Sequence, residues 1–374
     1  PAPAAKPTPA PAPVAGIVKT QDPSLLIARG TNAEMQWVSM KGQGYATPVD
    51  RFFVRNHTRT PLLDPNRWFL QINGDGLAGS QPVNFTLKQL EEDFESVELD
   101  AAIECAGNGR SFFGSQQGRS APGTAWTLGA IGVGTWRGVR LADVLEKAGL
   151  AEGVVDVMPI GLDPEVIGSD GRSQGRVRRP IPIKKALHDV IIALEMNGRV
   201  LPADHGFPAR LIVPGWVGIA NTKWLGQIQV SKTPLFSAWN TTQYRLVGTG
   251  YPTDIAPLTA NPLKSAFELP SGAVFPAGTK RTLTGRSWSG RWLPKRVEVS
   301  TNSGDTWKEA KLSRRNEHDA WVQWQVDWTP KSPGKRKLLA RAYDAHGNTQ
   351  PDATRFNRDG YWFDAVVQHP VTIS

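Results

Sequence analysis

From about residue 255 onward the chain takes on a period of two, and that periodicity admits little besides packed β-sheet. Val322, Trp324, Val326 and Trp328 alternate with Gln323, Gln325 and Asp327. Successive side chains of a strand point to opposite faces, so such a segment offers one apolar and one polar face. Residues 281–285, 297–300 and 339–343 carry strand signals too. Turn residues separate them at Asn302-Ser303-Gly304-Asp305, Pro333-Gly334 and His346-Gly347-Asn348. Strands at this spacing predict an all-β sandwich.

Residues 45–250 read differently. Residues 86–94 follow a cap at Asn84 or Thr86 and predict a short helix, and residues 141–149 predict another, stopped by Gly149. Residues 190–196 run into Asn197-Gly198, a hairpin-turn pair, and residues 209–213 read as a strand closed by Pro214-Gly215. Short elements at irregular intervals predict an α+β domain with much loop, not a doubly wound sheet. The expected division is a Pro/Ala-rich extended leader over 1–16, an α+β domain over 17–252 and the sandwich over 253–374, with the linker at 254–262.

The net charge of +9 is compatible with an anionic ligand, but the basic residues are scattered, with one short run at Arg176-Val177-Arg178-Arg179. That disfavours nucleic acid as a partner. No apolar run approaches the ~18 residues of a membrane span. Residues 1–15 are almost all Pro and Ala, and the chain begins at Pro1. The expectation is an exported, periplasmic protein whose signal peptide has been removed.

The 374 residues include one cysteine, Cys105. It can form no internal disulfide and supply no zinc site that needs two thiolates. It is either an inert buried thiol or a thiolate used for chemistry. Gly107 and Gly109 permit close backbone approach, and Arg110 supplies a nearby cation that favours thiolate. A thiolate is a soft ligand suited to a transition metal.

Further clusters suit anion binding. Arg55-Asn56-His57 leaves the apolar run Phe52-Phe53-Val54 and can hold an anion or a cofactor edge; the alternative is an ordinary polar strand exit. His205 and Arg210 flank a stiff Gly-Phe-Pro turn that suits phosphate, or else a surface connection. Lys223, in Asn221-Thr222-Lys223, can pair with a phosphate or stand in solvent. Trp126 reads as core, with a pocket wall as the alternative. The chain shows no P-loop, no G-x-S-x-G elbow, no H-E-x-x-H and no C-x-x-C-H haem attachment site.

In order, the segments Phe53-Val54-Arg55-Asn56-His57, Glu104-Cys105-Ala106-Gly107-Asn108-Gly109-Arg110, Trp126 with Gly129-Ala130-Ile131, Glu195-Met196-Asn197-Gly198, Asp204-His205-Gly206-Phe207-Pro208-Ala209-Arg210 and Lys223-Trp224-Leu225-Gly226 resemble the sulfite oxidase family of molybdenum enzymes. The leader and the lack of a haem site make the chain most similar to the catalytic subunits of bacterial sulfite dehydrogenases. The resemblance implies a molybdopterin-binding α+β domain followed by an immunoglobulin-like β-sandwich. It implies Cys105 as the protein thiolate on molybdenum. It places Phe53, Val54, Arg55, Asn56, His57, Asp163, His205, Arg210, Asn221, Thr222 and Lys223 around the molybdopterin cofactor. Arg55, Arg110 and Trp126 would line the anion pocket, with Arg358 adding charge from the second domain. The family has a tyrosine beside the metal; Phe236 falls at that position, which implies a form weakened by ~10²-fold for want of a donor. Tyr244, nearby, takes the position under a shifted register.

The implied reaction is oxidation of sulfite to sulfate. Its electrons would pass to a separate c-type cytochrome, a dedicated subunit or a soluble cytochrome c, because no haem is expected in this chain. The assembly would be a heterodimer with that cytochrome or a homodimer through the C-terminal domain. Three other readings stand beside it: a molybdenum-dependent sulfoxide or N-oxide reductase, a hydrolase using Cys105 with His57 or His205, and a non-catalytic β-rich binding protein.

Overall fold

The computed structural model describes residues 16–79, 81–314 and 320–374; all of the expected leader but Gly16 lies outside them. Ser96–Glu104 (β1) pairs antiparallel with Ile131–Arg140 (β2), and β2 pairs with Ile191–Met196 (β3). The other edge of β3 takes Arg199–Val200 and Arg210–Ile212 (β4). The reversal after β3 uses the expected pair, Asn197 and Gly198, at φ 53° and 72°. The second sheet runs Ile181–Pro182, Asp156–Gly161, Leu225–Ser231, Phe69–Asn73, Val83–Thr86.

The two sheets share one core. Leu70, Ile72, Ile228 and Val230 from one sheet and Ile192 and Leu211 from the other belong to the same buried cluster. Helix Leu141–Lys147 contributes Leu141, Val144 and Leu145, an i, i+3, i+4 stripe. Its chain reverses at Gly149, φ 84°. Of the two expected caps, Thr86 is the one used: the Gln89 amide donates to Thr86 Oγ1 and the Thr86 amide to Gln89 Oε1, a reciprocal box before Leu87–Glu92.

The C-terminal sandwich packs Lys264–Phe267, Arg281–Trp288, Trp321–Trp328 and Lys311–Arg314 against a five-stranded sheet containing Pro294–Ser300, Gly334–Asp344 and Gln368–Ile373. Trp324 and Val326 point into it beside Leu283, Val297 and Leu338, as the alternation predicts. The alternation fails at Trp321, which is buried next to buried Val322. The N-terminal domain explains it: Trp37 packs on Trp321 and Trp288 with ring centroids 6.2 and 5.7 Å apart, covering that end of the sheet. The linker is likewise pinned, since the Val217 amide donates to Thr259 O at 2.7 Å and the Leu258 amide to Tyr244 O at 2.8 Å. Among the described residues no helix is long and apolar enough to cross a membrane.

Candidate active site

β1 ends at Glu104, and Cys105 follows with its amide donating to Ala130 O at 2.9 Å. The Asn108 amide then donates to Cys105 O at 2.9 Å, turning the chain into helix Arg110–Ser115 (α1). Gly218 closes over this turn: a Cβ there would stand 2.9 Å from the Glu104 carbonyl oxygen. Cys105 is half-buried and opens into a cavity of about 720 Å³, counting its mouth.

Away from Cys105 the wall is cationic. Arg210 donates through Nη1 to His205 O at 2.8 Å and through Nη2 to Asn221 O at 3.0 Å, while its buried Nε has no protein partner. Lys223 Nζ donates to Asp204 O at 2.8 Å and to Asn56 Oδ1. The Thr222 hydroxyl is buried without a partner. Burial lowers the Lys223 pKa far below its ordinary value, helped by the Arg210 charge, and lowers Arg210 to about 9. Burial first, and neighbouring cations second, keep His57 and His205 neutral. Buried donors and clustered basic side chains together call for an anion with several acceptor oxygens.

Asp163 presents the opposite demand. It is 1% exposed, and neither carboxylate oxygen has a side-chain donor. Burial raises its pKa to about 6 against the pull of backbone amides and Lys223. A ligand carrying N–H donors at this point and a phosphate at the cationic end satisfies both, and a molybdopterin has both. The cavity therefore fits the group that the sequence implies. One consequence is measurable. With its folded pKa raised above ~4, the unfolded value, Asp163 lowers the stability of cofactor-free protein progressively from about pH 4 to about pH 6. Urea midpoints of cofactor-free Asp163→Asn should lack this component; identical pH profiles for both proteins would contradict the burial.

The structure brings Phe53, Arg55, Asn56, His57, Cys105, Asp163, His205, Arg210, Asn221, Thr222 and Lys223 to one cavity. Five expected residues do not line it. Val54 alternates away from Phe53 and Arg55 into a cluster with Leu26 and Ala33. Trp126 is fully buried behind Phe53, edge to face at 6.4 Å. Arg110 is held outside by carbonyls, Nε to Asp359 O and Nη1 to Thr124 O, each at 2.9 Å. Arg358 turns outward to an ion pair with Asp359 at 3.0 Å. Phe236 is 69% exposed and stands outside the cavity. Tyr244 lines the cavity instead, its hydroxyl 3.4 Å from His57 Nε2. Of the two registers, the shifted one is the one whose side chain lines the cavity.

Sequence reasoning also missed Trp239, whose Nε1 donates to His57 Nε2 at 3.3 Å, and Lys19. Asp204 accepts from the Val18 amide at 3.0 Å and the Lys19 amide at 2.7 Å, and Lys19 Nζ reaches Val49 O at 3.0 Å and lies 3.5 Å from His205 Nε2. Residues 185 positions away from that turn gave no local signal for this clasp. Lys19→Met is expected to weaken cofactor retention by ~10-fold, the scale of losing a group that orients a ligand-binding side chain. Molybdenum retained after dialysis checks it, and undiminished retention would contradict it.

Residues 57–239 match the oxidoreductase molybdopterin binding domain, and residues 269–369 the Mo-co oxidoreductase dimerisation domain. Mitochondrial sulfite oxidase of Mus musculus is 34% identical over 328 residues, covering 83% of this chain and 58% of that protein. Nitrate reductase [NAD(P)H] of Hordeum vulgare is 30% identical over 367 residues, 90% of this chain and 40% of that one. The crystal structure of the sulfane dehydrogenase SoxCD from Paracoccus pantotrophus aligns with a TM-score of 0.77 at 26% identity, over 93% of this chain and 85% of that one. The chain thus spans just over half the length of the sulfite oxidase and less than half that of the nitrate reductase.

Proposed function

This chain belongs to the sulfite oxidase family, and from that membership we propose that it is the molybdenum-bearing catalytic subunit of a periplasmic sulfite dehydrogenase. The observation that carries the reading is the cavity itself. One thiol, Cys105, opens into it, Arg55, Arg210 and Lys223 line its wall, and the buried carboxylate of Asp163 has no side-chain donor. Cys105 Sγ would hold the molybdenum, Asp163 the pterin ring, and Arg210, Thr222 and Lys223 the phosphate.

When bound, the cofactor supplies oxygen-atom transfer and a two-electron redox change, for SO₃²⁻ + H₂O → SO₄²⁻ + 2H⁺ + 2e⁻. The chain's own residues handle the anion. Arg55 at the wall and Arg110 behind it draw sulfite in and offset its charge. The Tyr244 hydroxyl reaches the cavity, where it can donate to the anion, and His57 Nε2, 3.4 Å away and already accepting from Trp239, limits where the phenol sits. Electrons leave singly to a c-type cytochrome, a bound subunit or a soluble protein. The match to the dimerisation domain supports a homodimer through residues 269–369, and a cytochrome heterodimer is the other assembly; sedimentation velocity distinguishes them.

The reading predicts one molybdenum per chain and sulfite-dependent reduction of cytochrome c by purified protein. Absence of the metal would end it. Reduction of nitrate or methionine sulfoxide by a reduced dye, without sulfite oxidation, would move the chain to a reductase. A cysteine hydrolase is disfavoured because His57 Nε2 is turned to Trp239 and Tyr244, and His205 Nε2 to Lys19, rather than to Cys105. Tyr244→Phe is expected to lower kcat about 100-fold, the loss typical of one aimed donor. Phe236→Tyr should leave turnover unchanged, because its exposed ring stands outside the cavity. The reverse pattern in stopped-flow reduction would restore Phe236 to the site.

A further inference from the structure

Tyr361 lies in the C-terminal region, yet its ring covers the Tyr244 ring with centroids 5.2 Å apart and planes 8° from parallel. Tyr244 sits at φ 56°, a backbone region that an aromatic residue holds only when its surroundings impose it. Its phenol therefore has two restraints: the stacked ring on one side and His57 Nε2 at the hydroxyl.

Tyr361 is itself fixed. Asn357 Nδ2 donates to Tyr361 O and the Tyr361 amide donates to Asn357 Oδ1, both at 2.8 Å. The next amide, Trp362, donates at 2.8 Å to Ala106 O, one residue beyond Cys105. The Arg110 guanidinium lies 5.5 Å from the Tyr361 ring centroid while its Nε holds Asp359 O at 2.9 Å. Gly360 lets this loop seat closely, since a Cβ there would stand 2.5 Å from Ala121 Cβ and 2.8 Å from Arg110 Cγ. Residues 357–363 thus form a braced arm from the second domain, and the ring that it delivers meets the cavity through Tyr244.

We propose that Tyr361 is a positioning residue of the sulfite site: its ring, delivered by residues 357–363, clamps the Tyr244 phenol so that its hydroxyl stays at His57 inside the cavity. This inference deepens the sulfite reading and rests on it. A flat ring packed parallel to the phenol restricts its rotation about χ1 and χ2 without touching the substrate. Freed of that ring, the Tyr244 hydroxyl would spend part of its time away from the anion, and both turnover and anion affinity would fall.

The test uses molybdenum-loaded enzyme carrying Tyr361→Ala, Tyr361→Leu, Tyr361→Phe, Tyr244→Phe and the pair Tyr244→Phe/Tyr361→Ala. Two readings are taken on each: kcat on sulfite, and sulfate affinity by calorimetry. Tyr361→Ala should lower kcat about tenfold and weaken sulfate binding in step, the scale of one lost aromatic pair. Tyr361→Leu, which keeps bulk without a flat ring, should show the same loss and serves if the alanine variant does not fold. Tyr361→Phe should recover most of it. The double variant should be no worse than Tyr244→Phe, because the effect runs through that phenol. Additive losses in the double variant, or wild-type turnover and sulfate affinity in both Tyr361→Ala and Tyr361→Leu, would overturn the proposal. If wild-type enzyme fails to oxidise sulfite, the functional reading falls, and the sulfate affinities still decide whether Tyr361 acts through Tyr244.

Discussion

Cys105→Ser should leave a folded protein with sulfite oxidation reduced at least ~100-fold, the upper range seen when groups merely supporting a metal ligand are removed. Serine is nearly isosteric with cysteine, and the backbone at this point is set by bonds that the side chain does not make. The Cys105 amide still donates to Ala130 O and its carbonyl still accepts from Asn108. The thiol belongs to no disulfide and is half-buried at the cavity wall, so its loss removes little packing. Oxygen, however, is a harder donor than thiolate, and an alcohol ionises far less readily than a thiol near neutral pH. The outcome is separable by two measurements. Circular dichroism and the melting temperature report the fold, and metal analysis with cytochrome c reduction reports the site. Retained turnover with serine in place would remove Cys105 from its role as ligand, and with it the reaction proposed for the cavity.

Much of that cavity was legible because its residues arrive in short stretches whose local chemistry is distinctive. Arg55-Asn56-His57 leaves an apolar run, His205 and Arg210 flank a stiff turn, and Cys105 sits near two glycines and an arginine. These carry their own signals. Asp163 did not: an aspartate in a loop is unremarkable until burial leaves both its oxygens without a side-chain donor, and the family resemblance supplied it. Val54 shows the opposite failure. Two-residue alternation separates it from Phe53 and Arg55, but a motif taken as a block obscures that geometry. Tyr244 was passed over for Phe236 because position along the chain was used where backbone conformation decides. The chain folds back at Tyr244 with positive φ and carries its ring under Tyr361, a partner 117 positions away and invisible to any local pattern. The sandwich's alternation holds where it packs on itself and ends at Trp321, where the other domain covers it. In each case the missing information is tertiary: which face another element occupies.

Lys264→Met is expected to destabilise the protein by ~3–5 kcal/mol, the range found when one partner of a buried ion pair is removed. Lys264 Nζ lies 2.8 Å from Glu104 Oε1, and their side chains are 6% and 1% exposed. The same Glu104 oxygen accepts from Asn108 Nδ2 at 2.9 Å, and Lys264 Nζ also donates to Asn108 O at 3.0 Å. Lys264 opens the first strand of the sandwich and Glu104 closes β1, so this pair joins the two domains directly beneath Cys105. Methionine fills the space of the lysine stem but leaves the carboxylate buried with a single neutral donor, Asn108, at Oε1. The Glu104 Oε2 atom already has none. The penalty comes from that stranded charge rather than from lost attraction, which makes the double variant the discriminating measurement. Glu104→Gln combined with Lys264→Met removes both charges and should recover a large part of the loss in urea unfolding. The double variant should also keep its molybdenum better than Lys264→Met, because Asn108 and the turn after Cys105 regain a neutral, satisfied neighbour. A Lys264→Met protein as stable as wild type would mean that water reaches Glu104, and that the seam between the domains is open at the very strand end that presents the thiol.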